Sequence, residues 1–221
     1  MKVQKLMVVV SALALLVVGQ VSSALAFGVP GLGGGSSSGT DWGKLEDQTK
    51  AALVNLYTGQ AELSEGVAML AEIVDLKDEA ATLRGQAEKV KECGSSSCGE
   101  FGESQKSSDE VAQKVVEKLE GVETLTEEQK AIANDAMGKY LDGSIKYALG
   151  LKDAKSLFGQ AKDAPAMQKP KFLGLIKAVP AATKGATSLA QTAPKIFDIA
   201  TAKDIKYPEK KKSKLMGTLT M

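Results

Sequence analysis

The side chains that most often carry out catalysis are scarce in this chain of 221 residues. It contains no histidine, so it cannot form an imidazole base, a Ser-His or Cys-His nucleophile pair, or a His-ligated zinc site. Arg84 is the only arginine, which removes the usual bidentate clamp for phosphate or carboxylate groups. Carboxylate pairs such as Glu127 and Glu128 are typical of a solvated helix start. We therefore predict a protein that is not an enzyme and that holds no cofactor and no metal ion.

The two cysteines, Cys93 and Cys98, are separated by a short Gly-Ser-Ser-Ser stretch. In an oxidising compartment such a pair is expected to form a disulfide across a tight loop. A redox-active pair would more usually be C-x-x-C next to a βαβ pattern, which this sequence lacks. For so short a ring the loop-entropy model gives only about 2 kcal/mol. The disulfide is therefore predicted to fix a turn and not to create the fold.

The start of the chain predicts its compartment. Lys2 and Lys5 precede an apolar run over residues 6–18, and Ala24-Leu25-Ala26 offers a small-residue cleavage site. This pattern predicts a secretory signal peptide over residues 1–26, because the apolar run is shorter than the ~20 residues that span a bilayer. We expect the protein to be exported, to the periplasm or to the outside of the cell.

Residues 27–40, FGVPGLGGGSSSGT, are dominated by glycine and serine and predict a flexible arm. The apolar residues of the arm, Phe27, Val29 and Leu32, either form a docking peptide or are incidental to a processing spacer. With Asp41 and Trp42 and the long helical pattern behind it, the arm resembles the start of a group of exported bacterial helical proteins whose mature chains open with an FGLGGLGGG-type sequence. The resemblance implies export and an all-helical body, and it supplies no site residues.

The remainder of the chain has the periodicity of α-helices. Proline is absent from residue 42 to Pro165, and apolar residues recur at steps of three and four. Residues 42–92 predict one long helix, and residues 94–108, rich in Ser, Gly and Glu, predict the first reversal of the chain. Glycines that would bend the long helix are Gly59, Gly66 and Gly85.

Two capping boxes and one regular apolar row follow this reversal. Residues 107–110 and 126–129 match the S/T-x-x-E/Q pattern that begins a helix. The apolar row steps four and three throughout, which is typical of a coiled-coil packing seam; its members are Ala133, Met137, Tyr140, Ser144, Tyr147, Leu151, Ala154 and Phe158. Tyr140 and Tyr147 could instead line a ligand pocket. Gly143 and Gly150 lie one heptad apart and favour close approach of a neighbouring helix.

These patterns together predict an all-α fold. We expect an elongated bundle of four to five helices over residues 41–205, built on a long antiparallel helical hairpin that reverses between Cys93 and Cys98. A short helix should end near Pro180, and Pro194 should kink the helix after it. Residues 206–221, which contain a lysine cluster, are predicted to form a basic disordered tail.

Charge is divided unequally along the chain. Residues 41–135 carry 21 acidic and 10 basic side chains, whereas residues 136–221 carry 6 acidic and 16 basic ones. The two halves could pack antiparallel and cancel each other's field, the basic half could meet an anionic partner, or copies of the chain could meet head to tail. A membrane surface is possible, because residues 164–221 combine 11 lysines with apolar residues. Nucleic acid is not expected, because this region lacks arginine.

We expect a non-catalytic interaction or scaffold protein of the cell envelope or extracellular space, with a protein partner or self-association. The alternative is a membrane-active amphipathic protein that resembles α-helical pore-formers, and a weaker alternative is a carrier of an apolar ligand. Candidate contacts to a partner or membrane are Phe27, Val29, Leu32, Phe172, Leu175, Ile176, Lys210, Lys211, Lys212 and Lys214.

Overall fold

The computed structural model describes residues 39–220 and confirms the all-α fold for them. The predicted signal peptide and Phe27, Val29 and Leu32 lie outside these residues. A short 3₁₀-helix, Lys169–Phe172, directly precedes the fifth α-helix. Residues 39–220 contain six α-helices, of which five lie within residues 41–205; they are α1 (Trp42–Ile73), α2 (Lys77–Glu92), α3 (Phe101–Gly121), α4 (Glu127–Lys162), α5 (Leu173–Ala202) and α6 (Glu209–Leu219).

The single helix predicted over residues 42–92 is instead two helices, and the break lies at an aspartate. Asp75 has a φ of 59°, in the left-handed region that aspartate tolerates better than most residues. The backbone N–H of Leu76 donates to the carbonyl oxygen of Ala71 at 2.9 Å, which closes a Schellman motif at the end of α1. Asp204, with a φ of 55°, ends α5 in the same way. The long helix predicted over residues 42–92 is therefore interrupted at Asp75, and not at Gly59, Gly66 or Gly85.

The chain folds back twice in its first half. Arg84 of α2 donates to both carboxylate oxygens of Glu72 of α1, at 2.5 and 2.9 Å, so α2 lies against α1. Lys114 of α3 reaches Glu79 of α2 at 3.1 Å, so α3 lies against α2. The second reversal contains the disulfide, which joins Cys93 and Cys98 as predicted. The long hairpin of the sequence prediction is thus replaced by two shorter ones.

One of the two predicted capping boxes is confirmed. At the start of α4, Gln129 N donates to Thr126 Oγ1 at 3.2 Å and Thr126 N donates to Gln129 Oε1 at 2.9 Å. The prediction at residues 107–110 is wrong, because α3 already begins at Phe101. Burial of the Phe101 ring extends the helix, and the Ser108 hydroxyl donates to the carbonyl four residues before it.

The closest helix packing joins α1 and α4. Gly59 and Gly66 of α1 and Gly143 and Gly150 of α4 each lie at heptad spacing. A Cβ atom on Gly66 would lie 2.6 Å from Tyr140 N, and one on Gly150 would lie 2.6 Å from a backbone nitrogen of α1. Later residues of α4 meet earlier residues of α1, so the two helices are antiparallel. The close approach predicted for Gly143 and Gly150 is confirmed, and Gly59 and Gly66 take part in the same contact within helix α1.

The C-terminal part of the chain is more regular than the sequence predicted. Helix α5 continues through both Pro180 and Pro194, although each proline removes a backbone donor at a cost of about 3 kcal/mol. Burial of large side chains on both sides of these prolines, such as Leu175 and Phe197, offsets that cost. The predicted end at Pro180 is therefore wrong.

The region predicted as a disordered tail instead contains helix α6. Leu215 is fully buried, and Lys211 pairs with Asp142 of α4 at 2.7 Å. Composition favoured disorder because lysines outnumber apolar residues there, but buried Leu215, the Lys211 ion pair and the packing of Met216 and Leu219 on the core hold this 11-residue helix in place.

Candidate interaction surface

Ion pairs between the two halves of the chain neutralise part of their opposite charge. Lys139 and Lys146 of α4 reach Glu65 and Glu62 of α1 at 2.7 and 2.5 Å. The basic and acidic halves are therefore neighbours in the fold, as one of the three readings of the charge pattern expected.

A similar pair links the segment before α5 to α1. Lys171 approaches Glu46 at 2.8 Å, and Lys50 approaches the same carboxyl group at 2.7 Å. The hydrogen bond from Lys171, assisted by the one from Lys50, lowers the pKa of Glu46 to about 2. Glu46 thus remains ionised at any physiological pH and ties residue 171 to the first helix.

Many lysines of the basic half have no such partner. Their side chains are exposed, and residues 39–220 supply no carboxylate within ion-pair distance of them. This unneutralised set is Lys155, Lys162, Lys169, Lys177, Lys184, Lys195, Lys206, Lys210 and Lys214. Packing of the halves therefore leaves a surplus of positive charge on the surface of α4, α5 and α6.

Only two of the four lysines in the α6 cluster are exposed. Besides the Lys211 ion pair, the Lys212 ammonium lies 5.3 Å from the Phe197 ring centre and 5.4 Å from that of Tyr207. A hydrogen bond to the Tyr207 hydroxyl at 3.2 Å is the main reason that the pKa of Lys212 is raised. Lys211 and Lys212 therefore hold α6 on the bundle, while Lys210 and Lys214 are exposed.

The apolar contact residues predicted in α5 are largely part of the core. Phe172 and Leu175 are fully buried and Ile176 is half-buried. The Phe172 ring lies 6.2 Å from that of Trp42 at the start of α1. Phe172 and Leu175 are therefore not on the surface of the folded bundle, although they were predicted as contacts to a partner or membrane.

Two exposed apolar residues of the same segment were not among the predicted contacts. Met167 is 89% exposed and Leu173 is 43% exposed. Met167 lies in a turn in which the Pro165 carbonyl oxygen accepts from the N–H groups of Gln168 and Lys169 at 2.8 and 3.0 Å. The pair of prolines at 165 and 170 signalled a break between helices, but periodicity could not show which apolar side chains point outward.

A layer of polar side chains crosses the core between α1 and α3. Gln60 Nε2 donates to the hydroxyl oxygens of Ser64 and Ser108 at 3.1 and 3.2 Å. The two serine hydroxyls lie 2.6 Å apart, and Ser104 is 3.5 Å from Ser64. All four side chains are buried, so their hydrogen bonds satisfy one another and fix the relative position of the two helices.

The two tyrosines of the α4 row belong to the core. The Tyr147 hydroxyl donates to the Ala182 carbonyl oxygen of α5 at 2.7 Å and contacts the Gln105 amide of α3. Tyr140 packs edge-on against Phe197, and its hydroxyl has no hydrogen-bond partner among residues 39–220. Burial raises the pKa of both phenols. Because each is about 1% exposed, they line a helix contact and not a ligand pocket.

Asp109 is the one carboxyl group that the α3–α5 contact encloses to a large extent. Burial, with a smaller contribution from Glu110, raises its pKa to about 6, and a hydrogen bond to Ser188 of α5 works in the opposite direction. The charge of Asp109 also contributes to the raised pKa of Tyr140 and Tyr147 of α4. This carboxyl group therefore titrates near neutral pH without opening onto a substrate-sized cavity.

The two best-formed pockets of residues 39–220 have volumes of about 230 and 190 Å³. Small-molecule sites usually enclose about 300 Å³ or more. The first lies between α3 and α5 next to Gln113 and Thr192, and the second lies where Leu219 of α6 meets α4. Glu100 comes close to the sulfur atoms of Cys93 and Cys98, but those atoms are bonded to each other and are not free thiolates.

Comparisons of the chain with protein-family models, with curated proteins and with solved structures find no match. A search of the described helices for a stretch long and apolar enough to cross a membrane finds none.

Proposed function

We propose that the protein is a non-catalytic interaction or scaffold protein that works after export, in the cell envelope or the extracellular space. The observation that carries this proposal is the set of exposed lysines that the protein's own carboxylates leave unneutralised. Lysine surfaces of one sign attract anionic partners and speed their encounter. A helical body tied by ion pairs between its halves gives such a surface a fixed shape.

Export is supported by two independent features. The pattern of residues 1–26 is that of a secretory signal peptide. The bonded pair Cys93 and Cys98 is consistent with an oxidising compartment, because disulfides are rare in reducing ones. Oxidised cysteines and a mature chain that begins at Phe27 are the expected results of mass spectrometry on protein from its native location.

The interaction proposal is tested by cross-linking in intact producing cells with two matched charge variants. Lys184→Glu with Lys195→Glu changes two exposed lysines of α5 that are part of the unneutralised set. Lys89→Glu with Lys91→Glu makes the same charge change on α2, within the acidic half. We expect the α5 variant to lose most cross-linked partner and the α2 variant to keep it. Equal cross-linking by the α5 variant and the unaltered protein would contradict the proposal, as would recovery in the cytoplasm with both thiols free.

A further inference from the structure

The segment between α4 and α5, residues 162–177, presents apolar side chains surrounded by lysines. At 89%, Met167 is the most exposed large apolar side chain of residues 39–220. Leu173 follows six residues later and is 43% exposed. The segment contains four lysines and one aspartate, a net charge of +3. Met167 buries little apolar surface in the folded chain, so its transfer from water into an apolar phase would be favourable.

The inner side of this segment is fixed to the bundle. Phe172 packs against Trp42, and a Cβ atom on Gly174 would lie 3.3 Å from the backbone nitrogen of Ser97 in the disulfide loop. Lys171 pairs with Glu46 of α1. The outer side chains are therefore displayed from a base that the core, an ion pair and the disulfide loop all hold in place.

The lysines of the outer side are arranged around the apolar residues. Leu173 and Lys177 are four residues apart in α5, so they share one face of that helix, and Lys169 begins the 3₁₀-helix that directly precedes it. Lys162 lies on the other side of Met167, and its ammonium group is 5.7 Å from the Phe158 ring centre. Within residues 39–220, no carboxylate lies within ion-pair distance of Lys162, Lys169 or Lys177.

We propose that residues 162–177 form a docking surface for an anionic lipid membrane. Lysines around an apolar tip match the two parts of such a membrane, since the ammonium groups meet lipid phosphates while Met167 and Leu173 enter the acyl boundary. An acidic protein would neutralise the lysines but would also need a pocket for Met167. Docking of this kind is peripheral and requires no helix that spans the bilayer. It rests on the proposed function only for the location of the protein outside the cytoplasm.

The test is co-sedimentation of the exported, purified chain with vesicles of phosphatidylglycerol and phosphatidylcholine. Pure phosphatidylcholine vesicles are the lipid control. A lysine near an anionic surface contributes about 1 kcal/mol, which is about a fivefold change in partitioning. We therefore expect Lys169→Gln with Lys177→Gln to reduce partitioning about thirtyfold and Met167→Ser to reduce it about tenfold. Added salt should weaken binding of the unaltered protein.

The matched control is Lys210→Gln with Lys214→Gln, which removes two exposed lysines from α6. The proposal predicts that this variant loses less than about threefold, because charges beyond a Debye length contribute little. Equal losses in the two lysine variants would overturn it, as would equal binding to phosphatidylcholine or no binding at all. Retention on an immobilised acidic protein without any vesicle binding would replace the membrane by a protein partner. These measurements use pure protein, so they can fail while the proposed interaction role stands.

Discussion

The α1–α4 interface and the segment at residues 162–177 place lysines in opposite situations. At the interface, Lys139 and Lys146 each reach a glutamate of the neighbouring helix within 3 Å. In the segment, Lys169 and Lys177 have no carboxylate partner among residues 39–220. All four lysines belong to the basic half of the sequence, so the net charge of a half does not decide how its lysines are used.

The difference follows from backbone packing. Glycines at heptad spacing let α1 and α4 approach so closely that lysines of one helix reach acids of the other. Between α4 and α5 the chain turns at Pro165, and the side chains of residues 165–167 and 169 are exposed. Close packing therefore neutralises charge, and a turn at the end of the bundle displays it.

The largest expected effect comes from breaking the α1–α4 contact. Gly143→Ala places a Cβ atom against the backbone of Leu63, so we expect the free energy of unfolding to fall by about 2–3 kcal/mol. Gly138→Ala is the matched control on the same helix, because nothing lies within 4 Å of its Cβ position. The control should stabilise the protein by up to about 1 kcal/mol through helix propensity. If urea unfolding shows that both variants have the same increase in the free energy of unfolding, the close packing is refuted.

The second prediction concerns the disulfide loop, which contacts the start of α5. Replacing Cys93 and Cys98 by serine should lower the free energy of unfolding by about 2 kcal/mol, because a short ring is released in the unfolded chain. Since Ser97 contacts Gly174, amide exchange should also rise at the start of α5. Unchanged exchange there would show that the loop does not support the segment.

A third prediction concerns the packed α3–α5 contact, where Asp109 is enclosed without a basic partner. The folded-state pKa of about 6 lies above its ordinary value of 3.8, so the folded protein binds this proton more tightly than the unfolded chain. Its contribution to stability is therefore present below about pH 4 and is lost as the pH rises to about 6. Asp109→Asn should remove this loss and stabilise the protein at pH 7 by about 1–2 kcal/mol, after a discount for partial exposure.

The check for Asp109 is a series of urea unfolding curves between pH 4 and pH 7. The unaltered protein should lose stability relative to Asp109→Asn between about pH 4 and pH 6, and the two stability profiles should run parallel from there to pH 7. Asp135→Asn is a suitable control, because its carboxyl group is exposed on α4. A pH profile that does not differ between the Asp109 variant and the unaltered protein would contradict the assignment.

The smallest effect is expected at the ion pairs themselves. A double-mutant cycle on Lys146 and Glu62 should give a coupling of about 0.2–1 kcal/mol, because the pair is partly exposed. Lys155→Gln, which removes an unneutralised lysine of the same helix, should leave stability within about 0.5 kcal/mol of the original. A coupling well above 1 kcal/mol would mean that charge pairing, and not glycine packing, joins the two helices.

Periodic and capping signals made the helical body predictable. The disulfide, the capping box at Thr126 and the close helix approach at Gly143 were each predicted from residue types and their spacing along the chain, and the structure contains all three. The reversal at Asp75 could not be predicted, because an aspartate in the left-handed region looks like any surface aspartate in a helical pattern. The sequence Asp-Leu-Lys at 75 and Asp-Ile-Lys at 204, each after an alanine four residues earlier, is the signal that could have marked both helix ends.

The candidate surface was predicted only in part. Its location near residue 172 was expected, but the apolar residues chosen there were the buried ones, since periodicity cannot distinguish the side that faces α1 from the side that faces water. Helix α6 was missed because its stability depends on Leu215 and Asp142, a tertiary contact that composition does not record.

We infer that the α1–α4 contact holds the fold while residues 162–177 meet a membrane surface. Hydrogen–deuterium exchange of the exported chain, with and without phosphatidylglycerol vesicles, tests both parts at once. We predict slower exchange in residues 162–177 and no change in α1 or in residues 127–161 of α4. Faster exchange in α1 and α4, as insertion of an opened bundle would produce, would contradict the claim, and so would protection confined to α6.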